Sequence, residues 1–208
     1  MYLFTRTAQV KPEHLFDAAA FAIEVAGKVT SITGKPVMAF TGVFGYPLGT
    51  VVWSARAESQ AELADDNTKI LGDPGYIELV QRNIHLFDGP ATDQLVNVVS
   101  SSLAPTPKPI YSLLTTTIAN GKFAPAMAFG VKAQAYVAKA TGLTNAFSSS
   151  VFGTFGAVGW LTGADTMTDM DRYTEWQATD PGFHALVDEA ADLFIPGTAQ
   201  TGLIQRLN

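Results

Sequence analysis

The feature that most constrains this chain is an internal duplication. Laying Trp53 on Trp160 brings Asp73-Pro74-Gly75-Tyr76 onto Asp180-Pro181-Gly182-Phe183, and both Trp-to-Asp spacings are twenty residues. Without a gap, Leu79-Val80 then meets Leu186-Val187, and Leu86-Phe87 meets Leu193-Phe194. Upstream, Val43-Phe44-Gly45 matches Val151-Phe152-Gly153 with one residue of slippage. A repeat count of two argues against a solenoid, which needs more units. The Pro-rich stretch Ala104-Pro105-Thr106-Pro107-Lys108-Pro109 reads as an extended, stiff linker, because proline fixes φ and lacks the N–H a central strand needs. The expected organisation is therefore a first repeat over 1–103, a linker over 104–109 and a second repeat over 110–208.

Each half reads in the same order. In the first, Tyr2 to Thr7 is a β run and Glu13 to Ile32 an Ala-rich helix stopped by Gly34. Strands follow at Val37 to Phe44 and Thr50 to Ala57, joined by Gly45-Tyr46-Pro47-Leu48-Gly49. Ser59 with Glu62 forms a capping-box pattern for a helix that Leu71-Gly72 stops. Asp73-Pro74 starts another helix, expected to run to Phe87, and Gln94 to Val99 is the last strand. In the second half the strands are Tyr111 to Ile118, Ala146 to Phe152, Ala157 to Leu161 and Ala199 to Arg206. The helices are Phe123 to Thr141, Thr168 to Ala178 and Pro181 to Phe194. The fold class is α+β, two tandem ferredoxin-like β-α-β-β-α-β repeats.

With these motifs in place, the sequence resembles the dimeric α+β barrel superfamily of antibiotic-biosynthesis monooxygenase-like, EthD-like and NIPSNAP-like proteins. The resemblance covers nearly the whole chain, as two copies. Its most characteristic piece is a third strand ending near Trp, then two helices split at Asp-Pro-Gly-aromatic. It implies that one chain makes a pseudo-dimeric barrel, as a monomer or within a homo-oligomer. It also implies cofactor-independent oxygenation, cyclisation or isomerisation of an aromatic substrate held between sheet and helices, with Trp, Tyr and Asn nearby. An Asn-x-x-Trp version of that site is absent.

Composition narrows the chemistry. Hydrophobic residues make up 47% and charged residues 15%, which excludes a disordered chain. A net charge of −6 without a basic run argues against nucleic acid and anionic lipid as partners. Zero cysteines exclude disulfides, thiolate catalysis and Cys-ligated metals. The N-terminus lacks a basic start and a signal-length apolar core, and the Ala18–Val29 stretch carries Glu24 and Lys28. A cytoplasmic protein with no membrane partner is the expectation.

Candidate catalytic residues are few. Arg6 is a charge in an apolar, Thr-rich strand, suited to anchor a carboxylate or enolate or else to form a strand-end salt bridge. Its counterpart is expected within Thr115-Thr116-Thr117. His14 and His85 are the candidate imidazoles. Trp53, Trp160, Tyr46, Tyr76 and Phe183 are candidate substrate-binding residues, with core packing as the alternative for both tryptophans. Tyr173 and Asp66 are further pocket candidates. No metal-ligand spacing or cofactor motif is present, so neither a cofactor nor a metal is expected. A haem reading would take His184 or His85 as axial ligand, but their contexts do not match haem-binding relatives. The expected function is a small enzyme for an apolar or aromatic metabolite. The alternatives are a non-enzymatic ligand-binding or stress-type protein and an assembly protein.

Overall fold

A computed structural model describes residues 1–104 and 106–208; Pro105, within the expected linker, lies outside the described residues. The chain divides into two compact units, residues 1–96 with 205–208, and residues 97–204.

The first unit contains β1 (Tyr2–Val10), α1 (Leu15–Thr33), β2 (Val37–Phe44), β3 (Thr50–Ala57), α2 (Gln60–Leu71), α3 (Pro74–Asn83) and the start of β4 (Phe87–Ser101). Its antiparallel sheet has the order β4-β1-β3-β2. The chain end lies along β2, where the Leu207 N–H donates to the Ala39 carbonyl at 2.8 Å. The second unit contains the end of β4, β5 (Ile110–Thr117), α4 (Phe123–Thr141), β6 (Thr144–Phe152), β7 (Ala157–Ala164), α5 (Met167–Thr179), α6 (Pro181–Glu189) and most of β8 (Gln200–Arg206). Its order is β8-β5-β7-β6-β4.

Equivalent bonds tie the two units to one plan. Val10 N–H donates to Gly49 O, and Ile118 N–H to Gly156 O, both at 2.9 Å. Lys11 N–H reaches Leu86 O at 3.0 Å, and Ala119 N–H reaches Leu193 O at 2.9 Å. α1 and α4 end alike, on Gly34 (φ 74°) and Gly142 (φ 71°), whose N–H groups return to Thr30 and Ala138. A left-handed residue here satisfies an orphan carbonyl, and glycine adopts it without a Cβ penalty.

The Asp-Pro-Gly motif has a physical explanation in both copies. Asp73 and Asp180 cap α3 and α6, accepting from Tyr76 N–H and Phe183 N–H at 2.7 Å. Each carboxylate also takes a side chain from the first helix of its unit: Lys28 at 2.8 Å, and the Tyr136 hydroxyl at 2.7 Å. Those partners hold both carboxyls below the usual carboxylate range, Lys28 being the leading cause for Asp73 and Tyr136 for Asp180. The glycine leaves room for them. A Cβ on Gly75 would lie 3.0 Å from Lys28 Nζ, and one on Gly182 would collide with the Tyr136 hydroxyl.

Several strands run longer than expected, β1 to Val10 and β7 to Ala164 among them, and two helices end early. α3 stops at Asn83, and Phe87 opens a fifteen-residue strand rather than closing a helix. Gly89 at φ 72° lets the strand run on through Asp88-Gly89-Pro90. α6 stops at Glu189 rather than Phe194, whose backbone instead bridges Ile118.

Candidate functional site

In each unit the sheet face toward the helices carries one aromatic layer. In the first, Trp53 sits among Phe21 and Phe87, with ring centroids 6.4 and 6.1 Å away. In the second, Trp160 sits among Phe129 and Phe194, at 6.3 and 5.8 Å. Both tryptophans are buried, and both indole N–H groups donate to a carbonyl of the overlying helix, Ala22 at 2.9 Å and Gly130 at 3.1 Å. Their placement is that of core residues with satisfied polar tips. The strand neighbours differ in a compensating way. Ala39 is opposite Trp53, whereas Phe147 is opposite Trp160. The larger ring is accommodated by Gly130, where the first unit has Ala22; a Cβ on Gly130 would penetrate the Phe147 ring.

Arg6 also faces the helices, opposite Trp53. Its guanidinium grips Asp93 as a two-toothed fork, Nε to Oδ1 and Nη2 to Oδ2, both at 2.7 Å. Asp93 is the leading cause that raises the Arg6 pKa, and Tyr76 on α3 adds to it. The register corrects the expected counterpart: Leu114, not the threonines after it, stands opposite Trp160. A guanidinium in one repeat is therefore a leucine in the other.

The structure brings His14 and His85 together, edge to face, with centroids 5.5 Å apart. The Lys11 ammonium donates to the His85 carbonyl at 2.8 Å. Among the described residues, no group of three or more His, Cys, Asp or Glu side chains is placed to hold a metal. Tyr46 is half-buried in the β2–β3 turn, where burial pushes its phenol pKa up. Tyr76 is buried under α3. Phe183 packs on Trp176 at 5.1 Å, and Trp176 stacks on Tyr173 at 6.0 Å. His184 is exposed, its Nε2 3.0 Å from the Gln177 carbonyl oxygen. Asp66 is buried in an ion pair with Lys35 and Lys69.

A second polar constellation lies between β6, β7, α4 and α5, and sequence reasoning found only Tyr173 of it. Asn145 is 1% exposed and Thr162 2% exposed. The Asn145 amide donates to Thr162 Oγ1 at 2.6 Å, and Thr162 donates onward to the Tyr173 oxygen at 3.4 Å. Gln177 also donates to that oxygen, at 3.1 Å. Gln134 donates to the Asn145 backbone carbonyl at 3.0 Å. Asn145 Oδ1 is buried and finds no hydrogen-bond donor among the described residues; Ser100 Oγ is the other such atom. Burial is the leading cause that raises the Tyr173 pKa, so its hydroxyl stays protonated.

The duplication supplies an internal control for this cluster. By strand register, Asn145 and Thr162 occupy the places of Val37 and Ala55. Counting from the paired helix positions, Gln134 replaces Ala26 and Gln177 replaces Ile70. In the first unit all four belong to the apolar core. An unsatisfied buried acceptor costs about 1–3 kcal/mol. The second unit therefore carries a penalty that the same scaffold avoids one repeat earlier. The first unit instead shows an open groove of about 510 Å³ between α1 and α3, lined by Glu24, Lys28, Glu78 and Arg82.

No protein-family model matches the sequence, and no curated protein matches it. Solved structures do match. A Fusobacterium nucleatum protein provisionally described as a monooxygenase superposes at TM-score 0.74, with 7% identity, over 100% of this chain and 92% of its own. A Lactobacillus acidophilus protein with the same provisional description gives 0.70 and 7%, over 100% and 94%. An anthrone oxidase-like protein gives 0.70 and 12%, over 100% and 91%. The chain has the dimeric α+β barrel fold. Both ferredoxin-like units of that fold reside in one polypeptide, as the duplication implied. At such low identity the likeness speaks for the fold alone. Among the described residues, no helix is long and apolar enough to cross a membrane.

Proposed function

We propose that this α+β barrel protein converts a small apolar or aromatic metabolite without a bound cofactor, and that the second unit holds the site. The observation that carries the reading is Asn145 Oδ1, a buried acceptor without a donor among the described residues, beside Thr162, Gln134 and Gln177; the first unit replaces these four residues by apolar ones and has Asp66 in the place of Tyr173. Asn145 accepts an O–H from the ligand. Tyr173, whose oxygen already accepts from Thr162 and Gln177, donates its own proton to the ligand oxygen. A phenolic or enolic hydroxyl meets both demands at once. Trp176, stacked on Tyr173, and Phe183, packed on Trp176, contact the flat apolar body. A neutral, dry set of donors and acceptors suits stabilisation of an enol or enolate on its way to reaction with dioxygen. Proteins provisionally described as monooxygenases and an anthrone oxidase-like protein share the fold, which makes oxidation by dioxygen the first chemistry to test.

Anthrone is the first probe. Its oxidation consumes dioxygen and yields anthraquinone and water. The expected result is protein-dependent oxygen uptake with matching anthraquinone absorbance, above the spontaneous rate. No acceleration, together with a bare native mass spectrum of the purified protein, would sink the reading. A bound molecule that is released unchanged would favour a second reading, a non-enzymatic carrier. The observation behind that alternative is the lack of a charged acid or base within the polar set.

A further inference from the structure

The Ser100 hydroxyl, like Asn145 Oδ1, is buried without a hydrogen-bond partner among the described residues, and it lies in the same unit. The strand register also places it on the same face of the sheet. β4 neighbours β6, and the Ser102 N–H donates to the Asn145 carbonyl at 2.8 Å. With Ser102 opposite Asn145 in an antiparallel pair, two steps back put Ser100 opposite Phe147, and residues that oppose one another share a face. The Phe147 ring packs under α4, where a Cβ on Gly130 would meet it, so Ser100 faces the helices as well. Ser100 and Asn145 are then diagonal neighbours, about 7 Å apart. The Ser102 hydroxyl accepts the Asn145 N–H at 2.9 Å, which pins the backbone of Asn145 to the strand that carries Ser100. The duplication again supplies the comparison. In the first unit the Leu207 N–H donates to the carbonyl of Ala39, the counterpart of Phe147. Leu207 is therefore the counterpart of Ser100, and it packs on the apolar core. The second unit puts a hydroxyl without a partner where the first puts a leucine.

We infer that Ser100 is a further ligand-binding residue of the site proposed above, on which this inference rests, and that the ligand is a neutral aromatic hydroxy-ketone. Its hydroxyl donates to Asn145 Oδ1, and its carbonyl oxygen accepts from the Ser100 hydroxyl. The two protein atoms make opposite demands. A carboxamide oxygen only accepts, whereas a serine hydroxyl can donate. Charge narrows the class further. Ser100, Asn145, Thr162, Gln134, Tyr173 and Gln177 include no cation, so a carboxylate or phosphate among them would be a buried charge without a partner. A ketone supplies the acceptor without a charge, and it is also the group from which an enol forms.

The test is calorimetric titration of the intact protein with three probes on one bicyclic skeleton. They are 1-tetralone, its derivative with a phenolic hydroxyl meta to the carbonyl, and tetrahydronaphthol, which has the phenolic hydroxyl and no carbonyl. The hydroxy-ketone should bind most tightly. Ser100→Ala should weaken both ketones by about five-fold or more and leave tetrahydronaphthol unchanged. Asn145→Val should weaken both phenols and leave 1-tetralone unchanged. The Ser100→Ala protein should melt at or above the parent temperature, because it loses a buried hydroxyl that has no partner. If the phenols bind and respond to Asn145→Val, but Ser100→Ala alters no probe or weakens all three equally, the role of Ser100 is overturned and the site stands without it. If none of the three binds the parent protein, the site reading itself fails, and the role of Ser100 fails with it.

Discussion

Gly130→Ala is expected to be among the most destabilising single-methyl additions in the protein, costing about 2–3 kcal/mol, or roughly 4–12 °C in melting temperature. The added Cβ enters the ring of Phe147, whose side chain is fully buried and packed at a tilt on Trp160, with centroids 5.0 Å apart. That ring has nowhere to move, because Trp160 is itself fixed by its bond to the Gly130 carbonyl. Phe147→Ala alone leaves a cavity and should cost about 3–5 kcal/mol. The double variant re-creates the Ala22 and Ala39 pair that the first unit uses at the same register. The two changes should therefore couple favourably, by about 1–3 kcal/mol, when urea unfolding of all four proteins is compared. Additive costs would show that the two units do not solve the same packing problem in these alternative ways.

The second large effect separates stability from function. Asn145→Val copies Val37 of the first unit, and Thr162→Val removes a hydroxyl while keeping the side-chain shape. Replacing both partners of a buried hydrogen bond by apolar groups of similar shape is close to neutral or stabilising. Here it also removes an acceptor with no donor, so the double variant should equal the parent or exceed it by about 1–2 kcal/mol in urea unfolding. Protein-dependent anthrone oxidation should disappear in the same variant. A site retained at a cost in stability behaves this way, whereas a structural network does not. A loss of 2 kcal/mol or more, with turnover untouched, would make the cluster a structural element and move the search for a site to Arg6 and Tyr76.

Much of the fold was legible because the local signals agree with one another. Val37–Phe44, Thr50–Ala57 and Phe123–Thr141 fall where alternation and helical period place them. The Ser59 cap, with its side chain 3.1 Å from the Glu62 N–H, and the two Asp-Pro starts follow from side-chain chemistry that needs no tertiary context. The long β4 strand was not legible, since Asp88-Gly89-Pro90 carries turn residues and only neighbouring strands hold it extended.

The site was harder to read for a different reason. Arg6 stood out as an isolated charge, and only the fold supplies Asp93, eighty-seven residues away. Asn145, Thr162 and Gln134 are uncharged and scattered, and Thr in a strand reads as ordinary β propensity. Their signal lay in the duplication itself. Comparing the repeats position by position shows Val37 against Asn145, Ala55 against Thr162 and Ala26 against Gln134, polar residues where the other copy proves that apolar ones suffice. Chance contact between His14 and His85 has no such signature, because nothing in either sequence segment points to the other.

On the proposed function, the second unit binds an aromatic hydroxyl through Asn145. The most direct measurement is an anthrone titration of protein labelled with nitrogen-15 at its asparagines, with the Asn145 side-chain amide assigned from the Asn145→Val variant. The Asn145 carboxamide signals are expected to shift saturably while those of Asn67 and Asn83 in the first unit stay in place. Binding that shifts Asn67 or Asn83 and leaves Asn145 unmoved would contradict it.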